Sequence, residues 1–543
     1  MIMKHKFKIF TSICALSLYI SSCDKKIEEA HLNPNAPVRV PIEELLPGVL
    51  TNMHANSSAQ GSAYGPANDG LYIGRYVQFW ATNTAGNQFD QMGGATGGSD
   101  LLGGVWAGHY YGMGQNLNRI IEWGTEEKKW DYVGVGYAIR AWSWLTLTNM
   151  HGEVILKEAF NASQQVFKYD EQKEVYDEVR RLCRLAIENL NKTGDGVSQT
   201  NLAKGDRYFY NGNVAKWKKF TYSIMARSFN HLTNKAEYQP DSVLFYANMG
   251  INANADNATI KFENSGISGT KNFYGPFRGN AGALRQTKFI ADLLNGTNSR
   301  FNGVNDPRAA YLIRENTNGT YRGVEPNRGS ADLATADQPQ NFWGGVFTTT
   351  AAANDANARY IFKDGAPFPV ITASEVQFMK AEAWYRKGNK AEALNAYREG
   401  ISLSFDLLTS DYNASVPTAR QITPATKATY LANPVVVPTA ANLTLSHIML
   451  QKYIAMYGWG AIETWTDIRR YHYTDAETGV PGQVYADFTP PTGTNLFVDN
   501  NQKWVYRARP RFNSEYLYNV PELSRIGALA LDYHTREQWF SQK

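Results

Sequence analysis

Between Ser374 and Ser404 the chain reads SEVQFMKAEAWYRKGNKAEALNAYREGISLS. Ala381, Trp384, Gly388, Ala393, Tyr397 and Gly400 fall where two consecutive helices would touch. Small residues let helices approach, aromatic rings fill the remaining gap, and a glycine between the helices permits a tight turn. A helical hairpin built this way cannot bury its own apolar face, so it must stack on neighbouring helices. That requirement constrains the fold more than any other feature.

The spacing matches a tetratricopeptide-like pair, and it also fits a generic helical hairpin. Three further stretches can supply stacking partners: Asp131 to Met150, Glu171 to Leu190 and Val214 to Leu232. In the second, Val175, Val179, Leu182, Ala186 and Leu190 recur on one face. Tyr72, Tyr76, Phe79 and Trp80 also lie at helical spacing, followed by a glycine-rich loop from Ala85 to Gly104. Residues 236–370 differ: Asn, Gly, Thr and Asp are frequent, helical periodicity is weak, and glycine-aromatic clusters occur at Phe273 to Phe277 and Phe342 to Gly345. So many aromatics argue against disorder and for ordered loops. The predicted fold is mostly α: tetratricopeptide-like helix pairs form a scaffold, with helices mainly at 39–235 and 374–470, and the 236–370 insert gives a loop-rich ligand-binding face with few short strands.

The N-terminus carries Lys4, Lys6 and Lys8, then about a dozen mostly apolar residues, then Ile20, Ser21, Ser22 and Cys23. This is the grammar of an export signal, and the small residues before Cys23 resemble a lipobox. The expected organisation is a lipoprotein signal peptide at 1–22, a lipidated flexible tether at 23–38 and a single domain at 39–543. Of three cysteines, Cys14 leaves with the signal and Cys23 would be acylated, so Cys183 has no disulfide partner. The formal charge of +4 falls to +1 once Lys4, Lys6 and Lys8 are removed. Nucleic-acid binding, which needs many phosphates neutralised, is therefore not expected.

Catalytic signatures are missing. No G-x-x-x-x-G-K-[ST], H-E-x-x-H, G-x-S-x-G or C-x-x-C occurs, and the nine histidines lack ligand spacing, so neither a metal nor a cofactor is expected. Carboxylate pairs that meet only in the fold stay open, which leaves a surface glycan hydrolase as an alternative. A repeat-based assembly or structural lipoprotein is another. Binding chemistry is better represented: aromatic rings offer flat apolar platforms, and amides and guanidinium groups orient a ligand by hydrogen bonds. Tyr72, Trp80, Asn83, Trp106, Tyr110, Arg328, Phe342 and Trp343, in their glycine-rich surroundings, are the candidate ligand-binding residues.

The order of features carries a family resemblance. A lipobox, amphipathic helices, a loop-rich middle, Ala373-Ser374-Glu375 opening the helix pair and a late helix with Glu463, Trp465, Asp467, Arg469 and Arg470 resemble the SusD/RagB nutrient-binding lipoproteins. Asp306-Pro307-Arg308 followed by Tyr321-Arg322-Gly323 is similar to a pattern in one branch of them. Arg511-Phe512 with Glu515 and Asn519 is similar to their C-terminal Arg-Tyr-Pro-x-x-Glu-x-x-x-Asn, with Phe512 and Asn513 in place of Tyr-Pro. The resemblance implies a cell-surface, outer-membrane protein that captures oligosaccharide or peptide and acts as the lid of a SusC-like TonB-dependent transporter, without catalysis. It also implies that ligand binds away from the repeat helices, which would form the docking side.

Overall fold

The stretch from Ser374 to Ser404 does form a helical hairpin. Thr372 caps its first helix, its hydroxyl accepting from the Glu375 amide at 3.2 Å; Asn389 caps the second in the same way through Glu392. Gly388 turns the chain between them at φ +79°, in the left-handed region that glycine enters without strain. Gly400 faces the first helix so closely that a Cβ there would stand 3.0 Å from the Phe378 ring. The small and aromatic positions are thus the contact surface itself.

In chain order, the helices of the computed structural model are α1 (Ile42–Asn52), α2 (Pro66–Tyr76), α3 (Gly114–Glu126), α4 (Trp130–His151), α5 (Gln172–Leu190), α6 (Gln199–Asp206) and α7 (Val214–Asn230). They continue as α8 (Pro240–Met249), α9 (Lys288–Asn295), α10 (Ala373–Arg386), α11 (Lys390–Asp411), α12 (Pro424–Ala432), α13 (Leu445–Ala455) and α14 (Ala461–Arg470), with shorter helical turns between. Among the described residues there are three short antiparallel pairs: β1 (Asn56–Ser57) with β2 (Ala63–Tyr64), β3 (Trp80–Thr82) with β5 (Leu284–Gln286), and β4 (Ala258–Ile260) with β6 (Phe368–Ile371). The structure describes residues 39–57, 63–94, 100–161, 163–265, 270–278, 281–343, 354–356 and 358–543. The signal peptide, Cys23 and the tether lie outside the described residues, as do Gly344 and Gly345.

The architecture is mostly helical, as expected. Helix pairs α4/α5, α7/α8 and α10/α11 stack in sequence, α5 against α7 and α8 against α10, while α13 packs on α10 and α14 on α2. Of the sequence candidates, α7 packs on the hairpin; α5 packs on α7 and α4 on α5 and α7. Helix α8 itself sits inside the stretch read as loops. One contiguous apolar core runs from Ile42 to Phe540. Among the described residues no helix is long and apolar enough to cross a membrane. One expectation is corrected: α2 stops at Tyr76, Gln78 turns at φ +57°, and Trp80 stands in β3 rather than on a helix.

The late-helix motif is a fastening between layers. Arg470 of α14 grips Glu382 of α10 with two bonds of 2.7 and 2.9 Å and Asp467 at 2.6 Å. Lys452 of α13 meets Asp467 at 2.7 Å; Arg227 of α7 meets Glu375 of α10 at 2.6 Å and Glu463 of α14 at 3.5 Å. All are buried. Arg470 and the other cations around Glu382 hold its carboxyl well below the usual range, although burial alone would raise it. The Arg511 motif clamps a loop instead: Glu515 accepts from Tyr169 at 2.8 Å, and Asn519 pairs with both backbone groups of Phe167.

His472, just after α14, joins Asp475 at 2.6 Å and Glu537 at 2.8 Å. The Glu537 hydrogen bond is the main reason its imidazole is pushed up to about 9 from 6.5. Because the folded value is the higher, the stabilisation is fully present below about pH 6.5 and is lost as pH rises through 9. A melting series from pH 6 to pH 10 should show a component of about 1–3 °C that His472→Gln abolishes. An unchanged profile in that variant would remove His472 as its source.

Candidate functional site

Beside β3 three loops are laced into one face. Trp80 pairs with Gln286 and Thr82 with Leu284 across β3 and β5. The chain leaving β3 is held by Asp90, which accepts from the Thr82 amide at 2.8 Å, and by Asn87, which accepts from the Phe89 amide at 3.0 Å. Gly86 donates to the Asn327 side chain at 2.8 Å, and Asn327 in turn donates to Asn495 at 3.2 Å. Gly329, at φ +68°, lies against the Asn83 carbonyl; a Cβ there would come within 2.3 Å of that oxygen. Only glycine fits, and the close approach lets Ser330 donate to the same carbonyl at 3.0 Å.

Two of the predicted residues meet on this face. Asn83 is half-buried, and its carboxamide makes no hydrogen bond among the described residues. Arg328 is exposed and reaches Asp332 at 2.6 Å, which raises its pKa above the ordinary guanidinium value. A cleft of about 190 Å³ opens next to it, lined by Gln78, Lys288, Glu325, Arg328, Asn495 and a proline pair, Pro490 and Pro491. Amides, three carboxylates (Asp292, Glu325 and Asp487) and two cations around a small apolar strip can orient a polyhydroxylated ligand by hydrogen bonds. Tyr72 is close by: its ring lies 4.7 Å from Phe89, which packs under Arg75, the partner of Asn87.

The other five candidates are placed differently. Trp80 is fully buried, donates to the Leu71 carbonyl at 2.9 Å and stacks on Phe342 at 5.3 Å. Phe342 packs edge-on against Trp343 at 4.8 Å, and both are buried. These three rings form the wall behind the loop face and offer no exposed platform. Trp106 is buried in another cluster with Tyr110, His151 and Tyr169, and half-buried Tyr110 donates to the Ile155 carbonyl at 2.7 Å. Neither belongs to the loop face. The apolar strength that drew these rings out of the sequence is what buries them. Asn327, Lys288 and Asn495 were not singled out; the one local signal was Asn327-Arg328-Gly329, a turn sequence with two positive φ values.

Buried carboxylates serve the fold. Burial pushes Asp69 and Asp206 up to about 6, and each is spent on local donors: Asp69 on the Gly104 and Val105 amides, Asp206 on the Gly212 amide and the Trp217 indole. Among the described residues no group of three His, Cys, Asp or Glu side chains is placed to hold a metal ion.

Solved structures share this fold. A SusD/RagB family protein from Bacteroides thetaiotaomicron VPI-5482 aligns over 93% of this chain and 99% of its own with a TM-score of 0.65 at 19% identity. A SusD homolog from Bacteroides fragilis NCTC 9343 gives 0.68 at 18% identity over 93% of this chain and all of its own. A chitin-binding SusD homolog from Flavobacterium johnsoniae gives 0.63 at 17% identity over 92% and 98%. No curated protein sequence matches significantly. The SusD-like family model, described as starch-binding and associating with the outer membrane, matches residues 34–487, so this chain belongs to the SusD-like family.

Proposed function

We propose that this protein is a cell-surface lipoprotein that captures oligosaccharide and passes it, uncleaved, to a SusC-like TonB-dependent transporter in the outer membrane. The observation that carries the reading is the family match over 34–487, whose members are described as starch-binding and outer-membrane associated. The loop face supports it with donors and acceptors around Asn83 and Arg328 held rigidly by Asn327 and Gly329. The order of elements supports the lid role: the stacked helices supply a stiff docking side, and a lipid on Cys23 with a tether to Val38 keeps the lid at high effective concentration over the barrel.

Carbohydrate capture is tested by native electrophoresis of the complete chain in gels cast with amylopectin, glycol chitin or polygalacturonate. Migration slowed in at least one gel, relative to an unrelated protein, is the expected outcome. Unaltered migration in all three would count against capture.

A further inference from the structure

A second, larger cleft of about 620 Å³ opens at the C-terminal end of α9, where Asn295, Asp306, Tyr321, Arg322, Arg420 and Thr426 are among its lining residues. Tyr321 and Arg322 form part of its wall, and hydrogen bonds tie their backbone down. Gln286 donates to the Arg322 carbonyl at 2.8 Å and Asn295 to the Tyr321 carbonyl at 2.8 Å. Val324 pairs with Gln286 at 3.0 Å, and Lys288 with Val324 at 2.8 Å. Gly323 lies so close to the chain at Thr287 that a Cβ would come within 2.0 Å of the Thr287 carbonyl oxygen. This fixed segment presents Arg322 on the cleft wall, where its exposed guanidinium has no hydrogen bond or ion pair with any described residue.

The surroundings have a surplus of positive charge. Arg420, which also lines the cleft, pairs at 2.5 Å with Glu315. Arg359 donates to the carbonyl of Ala310, one of the lining residues, at 2.8 Å, and its Nε and Nη2 have no hydrogen-bond partner among the described residues although the residue is 1% exposed. Arg314 lies near enough to disfavour the charge of Arg359, whose pKa burial already lowers to about 10. Asp306 does not compensate: Arg308 and the Tyr430 hydroxyl hold its oxygens at 2.6–3.2 Å. Asp337, outside the turn that carries Thr320, is bound by Asn318 at 2.7 Å. Arg314, Arg322, Arg359 and Arg420 thus lie at or behind this cleft, and Glu315 pairs with Arg420. Two of them line an open cleft that also carries amides, hydroxyls and the half-buried Tyr321 ring.

We infer that this cleft is a subsite for an anionic sugar unit, its carboxylate or sulfate ester received by Arg322 with Arg420 beside it. A planar guanidinium fork matches both groups through paired charge-assisted hydrogen bonds. The inference rests on the carbohydrate reading above and narrows it to acidic glycans.

The test is calorimetry of the complete chain in detergent with tetragalacturonate, a sulfated chondroitin tetrasaccharide and maltotetraose, using the native protein, Arg322→Ala and Arg322→Lys. The expected result is that one acidic probe binds at least about tenfold more tightly than maltotetraose, the size of one charge-assisted hydrogen-bond pair. Arg322→Ala should abolish that advantage, Arg322→Lys should restore part of it, and added salt should weaken it. The acidic probe that binds identifies carboxylate or sulfate as the source. Acidic probes no tighter than maltotetraose, or a preference that survives Arg322→Ala, would overturn the inference and leave carbohydrate capture standing. No binding of any probe would remove both.

Discussion

Arg470→Ala should destabilise the protein by about 3–5 kcal/mol, the cost of stripping one partner from a buried ion pair. Arg470 is the link between α14 and α10, and its removal leaves Glu382 and Asp467 buried with fewer cations. Lys452 still reaches Asp467, but Glu382 keeps only the neutral donors Tyr471 and Asn230 at 2.5 and 3.0 Å, and the nearest remaining cation, Arg386, stands at 3.4 Å. Urea denaturation followed by tryptophan fluorescence would show the loss as a lower midpoint. Arg470→Met combined with Glu382→Met should cost less than Arg470→Ala alone, because no unpaired charge stays inside. A loss under about 1 kcal/mol for Arg470→Ala, the range of an exposed pair, would mean the network does not hold the layers together.

Cys23→Ser should move the protein from the membrane to the soluble fraction almost completely. Acyl chains contribute about 0.8 kcal/mol for each buried CH₂, so two or more give lasting attachment, whereas serine cannot be acylated at this step. Among the described residues no helix is long and apolar enough to cross a membrane. Fractionation of cells followed by immunoblotting measures the shift. A variant that still sediments with membranes would show that something other than the lipid holds it there, and the tethered lid would have to be abandoned.

The helical scaffold was legible because its signals are local. Gly388, Tyr397 and Gly400 lie within one hairpin: Gly388 makes the turn, and Gly400 and Tyr397 meet the Phe378 ring of the preceding helix. The motifs of the late helix and of Asp306-Pro307-Arg308 were visible as residue types, but their role was not. Arg308 proves to be a buried tie to Ser404 of α11 and Gln451 of α13, at 3.1 and 2.5 Å. The loop face was only half legible. Asn83 and Arg328 stood out in glycine-rich stretches, yet what aligns them is a set of hydrogen bonds between residues 241 and 168 positions apart, which no periodicity encodes. The large rings misled for a physical reason. Trp80, Phe342 and Trp343 gain more from mutual burial than from exposure, and they support the loops instead of lining the surface. Arg322 was legible as part of a motif, but the surplus of arginines around it appears only when Arg314, Arg359 and Arg420 are folded together.

Capture without cleavage is the central claim, and titration calorimetry of the purified chain against starch, chitin and acidic oligosaccharides, each sample then chromatographed for products, addresses it most directly. The account predicts heat of binding for at least one oligosaccharide and recovery of that oligosaccharide intact. Shortened products after incubation would make the protein a hydrolase, and the absence of binding heat for every oligosaccharide would contradict capture itself.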